Sequence, residues 1–103
     1  MNRKTLKGMR NSTSILQQGD PRCYFCGRTI GLERHHVLGG ANRKWSEKYG
    51  LWVWLCGETC HRGMDGAQYD REKNQSLKRM AQIVFEARHS HEEWMQIFRK
   101  NYL

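Results

Sequence analysis

The run Leu51-Trp52-Val53-Trp54-Leu55-Cys56-Gly57-Glu58-Thr59-Cys60-His61 sets the architecture of this chain. Leu51 to Leu55 are all aromatic, β-branched or leucine, which makes this the best strand in the sequence. Cys56 closes the strand, and Cys60-His61 falls at the start of a short helix. Trp52 and Trp54 lie on the same side of such a strand, where core packing is expected ahead of base stacking. Upstream, Cys23-Tyr24-Phe25-Cys26-Gly27 reads as a knuckle whose glycine lets the backbone curl around a metal. A C-x2-C followed by a C-x3-C at this separation is the layout of a four-ligand zinc site, held by Cys23, Cys26, Cys56 and Cys60. His61 replacing Cys60 as the fourth ligand stays open, because adjacent residues do not easily bind one ion together.

The four cysteines could instead form two disulfides in a secreted chain. The N-terminus has basic residues but no apolar stretch after them, so secretion is not expected and a cytoplasmic setting with reduced thiols is. No segment approaches the roughly 18 apolar residues needed to span a bilayer, so membrane insertion is not expected either. The chain has 103 residues, enough for one small domain, of which 38% are hydrophobic. That share is low for a self-sufficient core and points to a metal staple. Lys and Arg number 18 against 10 Asp and Glu, a net charge of +8. Such a balance favours a polyanionic partner, nucleic acid first and an anionic membrane surface second.

Three zones follow. Residues 1–20 contain Arg3, Lys4, Lys7 and Arg10 and little apolar periodicity, and read as a flexible basic arm. Residues 21–69 hold the chemistry, in the order knuckle, strand Leu32 to Leu38, Gly-rich loop from Gly39-Gly40, strand, knuckle and short helix. Residues 70–103 read as a helical hairpin. Asp70 caps a helix to about Arg88 with Leu77, Met80, Ala81, Val84 and Ala87 on one face. Ser90 and Glu93 open a second helix as a capping box, with Trp94, Met95, Ile97 and Phe98 inward and Tyr102 and Leu103 pinning the terminus. His89 and His91 straddle the helix boundary as surface or capping residues. The expected class is α+β, a single domain in which the hairpin buttresses the zinc-braced part.

Adjacent histidines on a strand point to opposite sides, so His35 and His36 cannot serve one metal in the same way. One can bind a cation while the other addresses water or a phosphate, and a finger-like fold would bring His61 back beside the first strand. A cation held by neutral histidines, next to a free imidazole with a pKa near 6.5, suits phosphodiester hydrolysis. The plain alternative for His36 is a hydrogen bond within a core.

The residues Leu32-Glu-Arg-His35-His36-Val37, then Gly39-Gly40, then Leu51-Trp-Val-Trp-Leu55-Cys56, then Cys60-His61 resemble the HNH endonucleases. These belong to the His-Me finger (ββα-metal) nucleases, many of which brace the finger with a four-cysteine zinc site. The small size, the Ser46-Glu-Lys-Tyr-Gly50 stretch and the terminal Asn101-Tyr-Leu103 also resemble short HNH-like proteins of bacteriophages and prophages. The resemblance implies a zinc-braced ββα-metal finger followed by the helical hairpin, and a DNA endonuclease that needs a divalent cation, Mg2+ or another. It makes His35 and His61 ligands of the catalytic ion and His36 the general base. It leaves structural zinc to the cysteines and gives phosphate contacts to Arg34, Arg43, Lys44 and Lys48.

The chain departs from the family pattern in two places. Leu51 stands where the family has an asparagine whose amide fixes the loop bearing the base, and leucine cannot hydrogen-bond in its place. Asn42, in the intervening loop, is a substitute out of register. Gly66-Ala67-Gln68 stands where related phage proteins tend to have Gly-Val-His, and a glutamine oxygen is a poorer ligand than imidazole for a transition metal. These departures favour an alternative: a catalytically inactive HNH-like zinc module that binds nucleic acid or a host or phage protein, in recombination, packaging or inhibition of host defence. The His35-His36 pair and His61 favour the nuclease, in the cytoplasm of a bacterial host, with DNA as partner.

Overall fold

The computed structural model describes residues 13–63, 66, 67 and 70–103, so the basic residues Arg3 to Arg10 and Gln68 lie outside the described residues. In chain order it has β1 (Leu32–His36), a 3-10 turn Gly40–Asn42, α1 (Arg43–Tyr49), β2 (Trp52–Cys56), a π-helical turn Gly57–His61, α2 (Arg71–Glu86) and α3 (His91–Phe98). The fold is therefore a small α+β one, and no described helix is long and apolar enough to cross a membrane.

β1 and β2 are antiparallel, with Glu33 opposite Leu55, Arg34 opposite Trp54, His35 opposite Val53 and His36 opposite Trp52. Directly opposed residues share a face. One face thus carries Glu33, His35, Val53 and Leu55, and the other carries Arg34, His36, Trp52 and Trp54. Both strands are set slightly differently from the expected ones, β1 ending at His36 and β2 starting at Trp52. A bond from Val37 N to Leu51 O (3.0 Å) still continues the ladder beyond them.

The segment between the strands is not a Gly-rich loop throughout, because the 3-10 turn and α1 together occupy most of it. Its helical signal is weak in the sequence: only Trp45 and Tyr49, one turn apart, are apolar, and the side chains it buries are Ser46 and Glu47. Polar residues bury here because they have partners on β1 and just beyond it, described below. Gly50 ends the helix at φ +72°, and a Cβ there would collide with the carbonyl oxygen of Thr13. That approach is tight because Ile15 N donates to Gly50 O at 2.9 Å.

The described end of the N-terminal zone is correspondingly not a free arm. Ser14 is buried; its hydroxyl donates to Trp52 O and accepts from Leu16 N and Gln17 N. The Gln17 amide accepts from Trp54 N at 2.8 Å and donates to Arg22 O. Tyr24 N donates to Trp54 O at 2.8 Å. The outer edge of β2 thus finds its hydrogen bonds in side chains and a loop rather than in a third strand.

The core joins Val37, Leu38, Leu51, Val53 and Leu55 to Leu77, Ala81, Phe85, Trp94 and Phe98. Asp70 caps α2 by accepting from Lys73 N at 3.1 Å, and Ser90 with Glu93 closes a capping box on α3. Both caps are where the sequence puts them. The α2 stripe is rotated from the expected face: Ala87 is exposed, while Phe85 and Gln82 are fully buried. Leu77, Ala81 and Phe85 follow one another at i, i+4 and i+8, the apolar row of a straight helix. Gln82 is buried because its amide accepts from Tyr102 N at 2.7 Å and donates to Asn101 Oδ1 at 2.8 Å. Tyr102 is thereby pinned, whereas the Leu103 side chain is exposed.

Candidate metal centre and histidine cleft

The knuckle closes through Cys23 N to Arg28 O (2.8 Å) and Gly27 N to Cys23 O (2.9 Å), with Gly27 at φ +78°. β2 delivers Cys56, and the π-helical turn delivers Cys60. The four sulfurs lie within 4.8 Å of one another, with Cys26 and Cys56 Sγ at 3.6 Å. Tetrahedral zinc bonded to sulfur at about 2.3 Å requires sulfurs about 3.8 Å apart, so the four residues fit that ion. All four are free cysteines. The Thr59 hydroxyl sits 2.9 Å from Cys56 Sγ and holds that thiol well below its usual range, while burial pushes the Cys60 thiol up. These cysteines are positioned to hold a metal ion, and structural zinc is compatible with them.

Cys60, not His61, completes this set. The His61 ring turns away to Glu33, its Nδ1 2.7 Å from Glu33 Oε1. Arg62 clamps the same carboxylate from Nη2 at 2.9 Å and Nε at 3.2 Å. The hydrogen bond from His61, then Arg62, holds the Glu33 carboxyl below its ordinary value. The ring nitrogen of His61 that Glu33 does not hold is Nε2.

His35 faces His61 across 5.0 Å between ring centroids, at an interplanar angle of 76°. It is 8% exposed, and its Nε2 is buried with no hydrogen-bond partner among the described residues. Burial first, then the neighbouring His61, His36 and Lys78, brings its pKa down to about 4. At neutral pH His35 is an uncharged imidazole, the form that binds cations.

His36 is on the opposite face of β1. Its Nε2 lies 2.7 Å from Glu47 Oε1, and its Nδ1 accepts from Arg43 Nε at 3.3 Å. Burial lowers its pKa despite the opposing hydrogen bond to Glu47. Both histidines reach one cleft of about 290 Å³ at the end of β1, lined by Arg34, His35, His36, Gly39, Arg43 and His61. The chain bends at Val37 and Leu38, directly after β1, and Gly39 and Arg43 border the same cleft as the two histidines.

The basic residues expected at phosphate separate into two groups. Arg34 borders the cleft but is already engaged within the fold: it pairs with Glu47, and its guanidinium carbon lies 3.8 Å from the centroid of the Trp52 ring. Trp52 is accordingly buried. Arg43 lines the cleft, and Lys44 and Lys48 hold their ammonium groups 5.1 and 5.5 Å from the Trp45 ring on the exposed side of α1.

Leu51 is fully buried in the core, and Asn42 ends the 3-10 turn without a side-chain capping bond. The loop after the histidines is fixed by Ser46 instead. Its buried hydroxyl donates to Leu38 O at 2.8 Å and accepts from Leu38 N at 3.0 Å. One hydroxyl satisfies both the donor and the acceptor of that residue, as a carboxamide can. Ser46, Glu47 and Glu33 are the site-shaping residues that sequence reasoning missed. Ser46 and Glu47 are polar residues on α1, which periodicity arguments read as solvent-exposed, and no local signal joined Glu33 on β1 to His61. Comparison with known proteins finds no family model, no curated protein and no solved structure that matches this chain.

Proposed function

We propose that this chain is a metal-dependent DNA endonuclease of the HNH type, braced by structural zinc. The observation that carries the reading is the unpartnered, buried Nε2 of His35 beside the ring of His61. An uncompensated buried polar nitrogen costs about 1–3 kcal/mol, which a bound cation would offset. His61 supports the same reading, because a carboxylate behind a ligating imidazole fixes its tautomer and raises its basicity. Two imidazoles suit a first-row transition ion better than Mg2+, which prefers oxygen.

A divalent cation bound there would stabilise charge on the scissile phosphate and leaving oxygen. His35 and His61 would hold it, and Glu33 with Arg62 would keep His61 in place. His36 Nδ1 would take the proton from the attacking water, a role worth about 100- to 10,000-fold in rate. Arg43 has to leave Nδ1 for that to happen, and a DNA phosphate in the cleft is a stronger partner for its guanidinium. Ser46 keeps the loop beside the base from shifting.

A second reading rests on that same contact: Arg43 occupying Nδ1 favours a non-catalytic zinc module that binds nucleic acid or a protein partner. Incubation of supercoiled and single-stranded DNA with Mg2+, Mn2+ or Ni2+, comparing wild type with His36→Ala, separates the two. The nuclease reading expects metal-dependent cleavage by the wild type and its loss in a mutant that keeps its zinc and melting temperature. A folded, zinc-loaded wild type that cuts neither substrate with any of these ions rejects it in favour of the binding module.

A further inference from the structure

The His36 ring has partners of opposite kind on its two nitrogens. A carboxylate such as Glu47 can only accept, so the nitrogen it contacts, Nε2, carries the proton. The Nε–H of an arginine can only donate, so the nitrogen Arg43 contacts, Nδ1, carries the lone pair. Two independent partners therefore select one tautomer. The carboxylate is itself held tightly. Glu47 is 9% exposed, Oε1 is 2.7 Å from the imidazole, Oε2 meets the Arg34 guanidinium, and that guanidinium rests on the Trp52 ring. Imidazole, carboxylate, guanidinium and indole form one chain along the face of the sheet that carries His36, Arg34 and Trp52.

We propose that Glu47 is the positioning residue of His36: it holds the Nε2 proton and the ring plane, so that the Nδ1 lone pair is what the cleft receives. Arg34 belongs to the same device, neutralising and orienting Glu47 rather than meeting a phosphate. The consequence for catalysis rests on the nuclease reading, in which Nδ1 accepts the proton of the attacking water and Glu47 stabilises the resulting imidazolium. The placement of the ring proton does not depend on that reading.

The test combines NMR of the full zinc-loaded chain with cleavage kinetics, using wild type, Glu47→Gln and Glu47→Ala, with His36→Ala to assign the signal. The wild type is expected to show a downfield His36 ring N–H protected from water exchange, with nitrogen shifts of a protonated Nε2 and a bare Nδ1. Glu47→Gln keeps an acceptor oxygen and should retain the signal, whereas Glu47→Ala should lose it to exchange. Losing a hydrogen bond to a charged group should lower kcat in Glu47→Ala by about 10- to 100-fold with KM unchanged, and Glu47→Gln should recover most of it. A proton on Nδ1, or a freely exchanging Nε2 proton in the wild type, overturns the proposal even if Glu47→Ala does not fold. So does a folded Glu47→Ala that cleaves like the wild type. Absence of cleavage by the wild type rejects the nuclease reading alone, while the ring proton still decides the role of Glu47.

Discussion

Ser46→Ala removes a single oxygen and leaves two backbone groups without partners. The Ser46 side chain is fully buried, and its hydroxyl both donates to Leu38 O and accepts from Leu38 N. A methyl group can do neither. Each buried backbone group left unsatisfied costs about 1–3 kcal/mol, so the pair costs about 2–6 kcal/mol. A domain of this size has about 5–15 kcal/mol of net stability, and 1 kcal/mol moves its midpoint by about 4–8 °C. Even the lower bound predicts a fall in Tm of about 8 °C. Ser76→Ala is the matched control: its hydroxyl also donates to a backbone carbonyl, Lys73 O at 3.0 Å, but at an exposed position. That change should cost no more than about 0.5 kcal/mol. Thermal unfolding followed by circular dichroism measures both, with zinc held at one concentration because a ligand of the native state shifts the midpoint. If the two variants melt together, water reaches the Leu38 groups, and Ser46 does not fix the loop beside the histidines.

Two further outcomes are expected. Cys23→Ser, or a chelator added to the wild type, should unfold the part of the chain around the four cysteines, because binding at a four-cysteine site supplies folding free energy. Melting curves unchanged by both, with no zinc on elemental analysis, would refute the structural site. Gly50→Ala should lower the denaturant midpoint, since φ +72° and the collision with the Thr13 carbonyl both act against a side chain. The left-handed conformation alone costs about 1–2 kcal/mol. A midpoint equal to or above wild type would show that the Gly50–Thr13 approach does not constrain the fold.

The parts of the molecule readable from sequence are those whose chemistry is local. Cysteine spacing foretold a four-sulfur cluster, the aromatic and β-branched run foretold β2, and Asp70 and Ser90 marked the starts of α2 and α3. α1 was not readable because its buried side chains are Ser46 and Glu47, whose partners Leu38, His36 and Arg34 lie elsewhere in the chain. Hydrophobic periodicity has no means of counting a polar residue as inward. Gln82 was missed on α2 for the same reason, its partners being Asn101, Glu86 and the Tyr102 amide. Arg34 stands beside the histidines in sequence and borders their cleft, and only the fold shows that Glu47 and Trp52 also lie against it. In the histidine site the sequence supplied the ring-bearing residues, and the structure supplied the carboxylates behind them.

The covering of β2 by Ser14, Gln17 and Tyr24 bears on how the chain behaves in a crowded solution. An open strand edge is a template on which another chain can pair, and the hydrogen bonds to Trp52 O, Trp54 N and Trp54 O remove that template here. A chain begun at residue 20 would keep its cysteines, histidines, hairpin and the Tyr24 bond to Trp54 O, yet would lose the Ser14 bond to Trp52 O and the Gln17 bond to Trp54 N along that edge. Its failure would be one of solubility, through strand-to-strand association between copies, before it was one of chemistry.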